Sequence, residues 1–151
     1  MSAPADLAGP LHQPVSSIMS RQVLSVREEA AAADAARLLI ARDVAGVPVL
    51  DEDDRPIGVF SRTDLLRDEL EQDGAALGGA TVGDLMTPLA FSLPEDASIS
   101  QAAALMWFEH VHRLPVVSPD SRIVGIVTPM DVLRFVAELD GYRKPPDLPR
   151  P

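Results

Sequence analysis

Gly125-Ile126-Val127-Thr128-Pro129-Met130-Asp131 restates the pattern of Gly58-Val59-Phe60-Ser61-Arg62-Thr63-Asp64, 67 residues earlier in the chain. In each, a β-branched and apolar run that reads as a strand passes a glycine, meets a hydroxyl residue and enters a helix with an aspartate in its first turn. The same offset brings Met19 onto Met86 and Pro48 onto Pro115, and residues 15–66 against 82–133 share 16 identities in 52 ungapped positions. The chain is therefore an internal duplication, and its fold is the fold of one unit used twice.

On either side of these segments, each unit reads as strand, helix, strand, strand, helix. The opening strands are expected at residues 23–26 and 90–93. The helices that follow carry Ala32, Ala35, Ala36 and Leu39 on one face, matched by Ile99, Ala102, Ala103 and Met106. Ser98 and Gln101 form a capping box at the second of these helix starts, whereas Ala31 and Asp34 offer none at the first. Residues 47–50 with 56–60, and 114–117 with 123–127, read as hairpins across the turn-rich Asp51-Glu52-Asp53-Asp54-Arg55 and Ser118-Pro119-Asp120-Ser121-Arg122. The closing helices begin after Ser61 and after Thr128, the latter with Pro129 where a missing N–H is harmless.

The fold class is thus α+β, two βαββα repeats packed against each other. A unit of this size leaves much apolar surface wet on its own, so the pair completes one core. The expected organisation is a disordered segment at residues 1–14, repeat one at 15–73, a Gly/Ala linker at 74–81, repeat two at 82–140 and a Pro-rich tail at 141–151.

Composition narrows the function. With no cysteine among 151 residues, disulfides, thiol nucleophiles and thiolate metal sites are all excluded. A formal charge of −10 opposes a polyanion over most of the surface and disfavours nucleic acid. No secretory leader or membrane-spanning run is legible, which makes a cytoplasmic location the default and gives no reason to expect a membrane partner. P-loop and triad motifs are missing too, so neither enzyme activity nor a catalytic residue is expected. His110 and His112 lack a third ligand, so no metal site is expected there. Trp107 and Phe108 are expected to be core or dimer contacts.

The two glycine-to-aspartate segments admit two readings that coexist. Ser61 with Asp64, and Thr128 with Asp131, have the spacing of an ordinary capping box. The same groups also suit a phosphorylated sugar, since a helix start favours phosphate and a carboxylate can accept both ribose hydroxyls.

Asp84-Leu85-Met86-Thr87-Pro88, His112-Arg113-Leu114-Pro115-Val116-Val117 and the Gly125 to Asp131 segment, in that order, resemble the CBS domain family. Their duplication resembles a Bateman module, the tandem pair of such domains. The resemblance implies a regulatory ligand-sensing module with two clefts that bind AMP, ADP, ATP, NADH or S-adenosylmethionine as a regulatory ligand, with no catalytic cofactor. It implies that the repeats pack with pseudo-twofold symmetry and that two pairs form a disc-shaped homodimer; the output is expected to reach a separate, unidentified protein partner or to lie in stoichiometric binding itself. Asp64 and Asp131 would hold ribose hydroxyls, with Ser61 and Thr128 on phosphate or ribose. Ser25 and Ser92 would lie near the adenine edge, Val23, Val47 and Leu114 would form apolar walls, and His112 with Arg113 would bind phosphate. The first repeat has Ala45 and Gly46 where the second has His112 and Arg113, so the clefts are expected to bind unequally. The alternative is a ligand-free dimerisation or protein-interaction module.

Overall fold

The first repeat begins with a two-residue strand β1 (Val26–Arg27), then helix α1 (Ala32–Ala41) and a hairpin of β2 (Gly46–Leu50) and β3 (Pro56–Ser61) that runs straight into α2 (Arg62–Gln72). These elements come from a computed structural model that describes residues 9–73 and 78–143. A short helix α3 (Val82–Leu85) and strand β4 (Thr87–Pro88) follow. The second repeat then gives β5 (Leu93–Pro94), α4 (Ile99–Glu109), β6 (Leu114–Val117), β7 (Ile123–Val127) and α5 (Pro129–Leu139).

Local chemistry explains these elements twice over. Ala32, Ala35, Ala36 and Leu39 bury one stripe of α1, and Ile99, Ala102 and Met106 do the same for α4. The Ser98–Gln101 capping box forms, with N–H bonds of 2.8 and 3.0 Å, and Ala31 gives α1 no side-chain cap. Both helices stop at a left-handed residue in matched position, Asp43 (φ 49°) and His110 (φ 54°). The hairpin turns likewise share a left-handed residue, Asp54 and Ser121. In the first turn Asp51 accepts the N–H groups of Asp53 and Arg55. The opening strands are shorter than sequence predicts and sit later: Val23 and Ser25 precede β1 and Ser92 precedes β5, because each opening strand pairs with its neighbour over only two residues.

Strand order is β1-β2-β3-β4 in one sheet and β5-β6-β7 in the other, with each β-hairpin antiparallel and each opening strand parallel to it. The edges reveal an exchange that the repeat pattern does not. Strand β4 and α3 precede repeat two in sequence, yet β4 pairs with β3, and Val82, Leu85 and Met86 pack into the core of repeat one. Reciprocally, Val15, Ile18 and Met19 pack into the core of repeat two, and Ser20 exchanges two backbone bonds with Ile126 at 2.8 and 3.0 Å. Val15 and Val82, at matched positions, are wholly buried. Each such side chain stabilises by roughly 1.5–3 kcal/mol, a contribution that fastens each lead-in to the core of the repeat it joins in space. The hairpin turns also touch, Ile123 donating its N–H to the Asp54 carbonyl at 2.9 Å.

The segment expected to be unstructured at 1–14 is ordered from residue 9 on. Pro10–His12 forms a 3-10 turn, and Gln13 accepts the N–H of Ile99, so the chain is tied to the start of α4. Residues 1–8 lie outside the described residues, as do 74–77 of the linker and 144–151 of the tail. The linker's far end is built in: Ala80 accepts the N–H of Ala32, and Thr81 caps α3. No helix among the described residues is long and apolar enough to cross a membrane.

Candidate functional site

Helices α2 and α5 start at the end of a strand, which fixes their first turns against the neighbouring repeat. At α2, Asp64 accepts the Ser61 N–H (2.8 Å) and the Ser61 hydroxyl (3.1 Å) on one oxygen. At α5, Asp131 makes the same pair with Thr128, again at 2.8 and 3.1 Å. The capping reading of these motifs therefore describes the unliganded chain. The hydroxyls of Ser61 and Thr128 are spent as donors and keep their lone pairs.

Arg113 distinguishes the two repeats, since the first has Gly46 in its place. By register its backbone lies one step before the Leu114–Val127 pair, beside Thr128, but its guanidinium reaches repeat one. It lies 3.3 Å from where a Cβ on Gly46 would stand, and Ser61 Cβ is 3.0 Å from the same point. Only glycine at 46 leaves room for that approach. Arg113 is half-buried, and burial lowers its pKa from the ordinary guanidinium value. Among the described residues it makes no hydrogen bond and no ion pair, whereas seven other arginines do. A partly desolvated guanidinium without a counter-charge has the chemistry to attract an anion.

A cavity of about 140 Å³ opens beside it, lined by Val59 and Thr87 of repeat one's sheet and by Phe91, Val111, Arg113 and Leu114 of repeat two's lead-in and β6. This cavity thus draws on both repeats, and Thr87 in its wall bonds to Asp64 behind it.

The predicted residues divide accordingly. Arg113 and Leu114 line this cavity, while Ser61 lies near Arg113 across Gly46 and Asp64 is buried behind Thr87. Thr128 and Asp131 form the matched turn in repeat two and do not line this cavity. Val47 is buried in the core of repeat one at 2% exposure and supplies no wall. Val23 and Ser25 are half-buried and Ser92 is exposed, all three in extended chain outside the strands. His112 separates from Arg113: the chain bends at His112 just before β6, leaving His112 exposed and the two side chains at different cavities. His112 lines a larger apolar groove of about 380 Å³ between α4 and α5, with Met106, Trp107, His110, Pro129 and Leu133. That groove lacks the polar groups of a nucleotide site. Sequence reasoning missed Thr87, whose hydroxyl donates to Asp64 at 2.7 Å. Its signal was a hydroxyl beside proline in a matched segment, opposite Ser20.

Comparison with known proteins gives a consistent result. The family profile described as CBS domain matches residues 15–71 and 82–138. The structure is similar to that of CBSX2 from Arabidopsis thaliana, solved in complex with AMP, with a TM-score of 0.75 and 32% identity over 85% of this chain and 98% of that one. It is similar to the CBS domain of a bacterial CNNM/CorC family Mg²⁺ transporter in complex with ATP (TM-score 0.72, 27% identity, 84% of this chain and 89% of that one). Hypoxic response protein 1 of Mycobacterium tuberculosis is 31% identical over 121 residues, 80% of this chain and 83% of its own. The chain spans about a quarter of the length of the first curated relatives it matches.

Proposed function

Because the chain belongs to the CBS domain family, with both repeats present, we propose that it is a regulatory module that binds an adenine nucleotide between its repeats and acts without transforming it. The observation that carries this reading is Arg113, half-buried and unpaired among the described residues, held against Gly46 and Ser61 at the start of α2. Its guanidinium takes the phosphate, Asp64 the ribose hydroxyls, and the half-buried Phe91 and Val111 the base. The similar structures that hold AMP and ATP support that ligand class. Bound across both repeats, the nucleotide alters their relative setting and so the surface shown to a partner. Calorimetric titration with AMP, ADP, ATP, NADH and S-adenosylmethionine tests this. AMP is expected to give saturable heat that Asp64→Ala weakens at least about tenfold, the loss of one charge-assisted contact. Heat unchanged in Asp64→Ala removes that carboxylate from the site.

The module acts as a homodimer in this reading. Four of its exposed apolar side chains fall at matched positions of the two repeats: Ile40 with Trp107, and Leu66 with Leu133. Trp107 is 73% exposed and Ile40 equally so. Two apolar patches related by the internal symmetry are covered together by a partner with the same two patches, which is a second copy. Light scattering is expected to give twice the chain mass, and Trp107→Glu to give the monomer. A wild-type monomer at working concentration would sink the dimer and leave the nucleotide site standing.

A further inference from the structure

Asp64 and Asp131 occupy matched positions and make the same two bonds to the residue that opens their helix, yet their other oxygens differ. At Asp64 this oxygen accepts the Thr87 hydroxyl at 2.7 Å and Arg67 Nη1 at 3.3 Å. At Asp131 it faces only Arg134 Nη2, 3.5 Å away, and that nitrogen donates to the Ile18 carbonyl at 3.2 Å. The Asp64 side chain is 1% exposed and that of Asp131 16%. Thr87 and Ser20 stand at matched positions on matched edge pairings, Thr87 opposite Val59 and Ser20 opposite Ile126. Only Thr87 spends its hydroxyl on the aspartate.

A carboxylate has about four acceptor directions, and Asp64 has filled all of them. It cannot accept two ribose hydroxyls while Thr87 holds it. The cavity beside it measures about 140 Å³, well below the roughly 300 Å³ at which small-molecule sites begin. Thr87, which lines the cavity beside the unpaired arginine, is thus tied to the acid.

We propose that Thr87 is the gate of the Arg113 cleft, its hydroxyl holding Asp64 until a nucleotide exchanges that bond for its sugar hydroxyls. The proposal rests on the nucleotide-binding reading above. The gate sets affinity rather than discrimination: opening costs the same for every ligand, and the preference for a phosphorylated one comes from Arg113. Because Thr87 belongs to the lead-in of repeat two while lying on the sheet of repeat one, releasing it loosens the junction between the repeats. Ligand occupancy thereby becomes a change at that junction.

The test is calorimetric titration of wild type, Thr87→Val and Thr87→Ser with AMP and with adenosine. Valine keeps the β-branched shape and removes the donor, whereas serine keeps the donor. Thr87→Val is expected to tighten AMP and adenosine by the same factor, roughly tenfold, because the opening step precedes any ligand contact. Thr87→Ser is expected to behave as wild type. Weaker AMP with unchanged adenosine would show Thr87 to be a phosphate contact and overturn the gate, as would equal affinities in wild type and Thr87→Val. The ¹³C resonance of the Asp64 carboxyl in wild-type protein gives a reading that needs no variant. It is expected to move on AMP addition, and a fixed resonance at saturation overturns the gate. Absence of AMP binding in every protein, wild type included, overturns the nucleotide reading and the gate with it.

Discussion

Gly58→Val is expected to lower the melting temperature of the whole chain in one cooperative step, by about 6–12 °C. A Cβ on Gly58 would stand 2.6 Å from Met86 Sδ and 2.9 Å from the Thr87 carbonyl oxygen. The thioether can swing away, but the carbonyl is backbone, so β4 would have to leave β3. Overpacking of this kind costs about 3 kcal/mol at the upper end of its usual range, and a chain of this size loses about 2–4 °C per kcal/mol. The lesion sits in repeat one but displaces the lead-in of repeat two, so both should melt together. Gly125 is the matched position, pressed by Met19 and the Ser20 carbonyl. Gly78, where an added Cβ would meet nothing within 4 Å, is the control: Gly78→Ala should melt as wild type. Calorimetric melting checks all of this. Two separate transitions in Gly58→Val, with repeat two surviving at the wild-type temperature, would mean that the exchanged segments do not couple the repeats.

That coupling marks where sequence reading stops. The hairpins, the helix faces and the Ser98–Gln101 cap follow from local pattern, and the structure reproduces them within a residue or two. Nothing local says which sheet a lead-in joins. Val15 and Val82 are apolar whichever core receives them, and a self-alignment places each with its own repeat. Only closure of the two edges, β4 on β3 and Ser20 on Ile126, fixes the exchange. The site was legible to a similar degree. Identical spacing identified both aspartates, but spacing cannot show that one of them is held by Thr87 from a distant segment. The separation of His112 from Arg113 depends on the bend at His112 just before β6, which their adjacency in sequence does not show. Buried Asp68 shows a further break in the duplication. It stands where repeat two has Phe135, which packs against the second core, and its Oδ1 has no partner among the described residues. No function follows for it from the structure.

Arg113→Ala is expected to weaken AMP binding about 10- to 100-fold while leaving adenosine unchanged. The guanidinium is already partly stripped of water and makes no bond or ion pair among the described residues, so little is lost when it turns to phosphate. Charge-assisted bonds under those conditions contribute about 1.5–3 kcal/mol. Arg113→Lys should fall between the two, since an ammonium keeps the charge but not the planar fork. Titrating both ligands into all three proteins separates the phosphate from the sugar. Arg113 acts on AMP alone, whereas Thr87 acts on both ligands equally, and the double variant should show the two effects adding. An equal loss for AMP and adenosine in Arg113→Ala would mean that the side chain props the cleft open rather than binding the anion. The basic residue would then be part of the frame, and the phosphate would have to be sought at the Thr128–Asp131 turn.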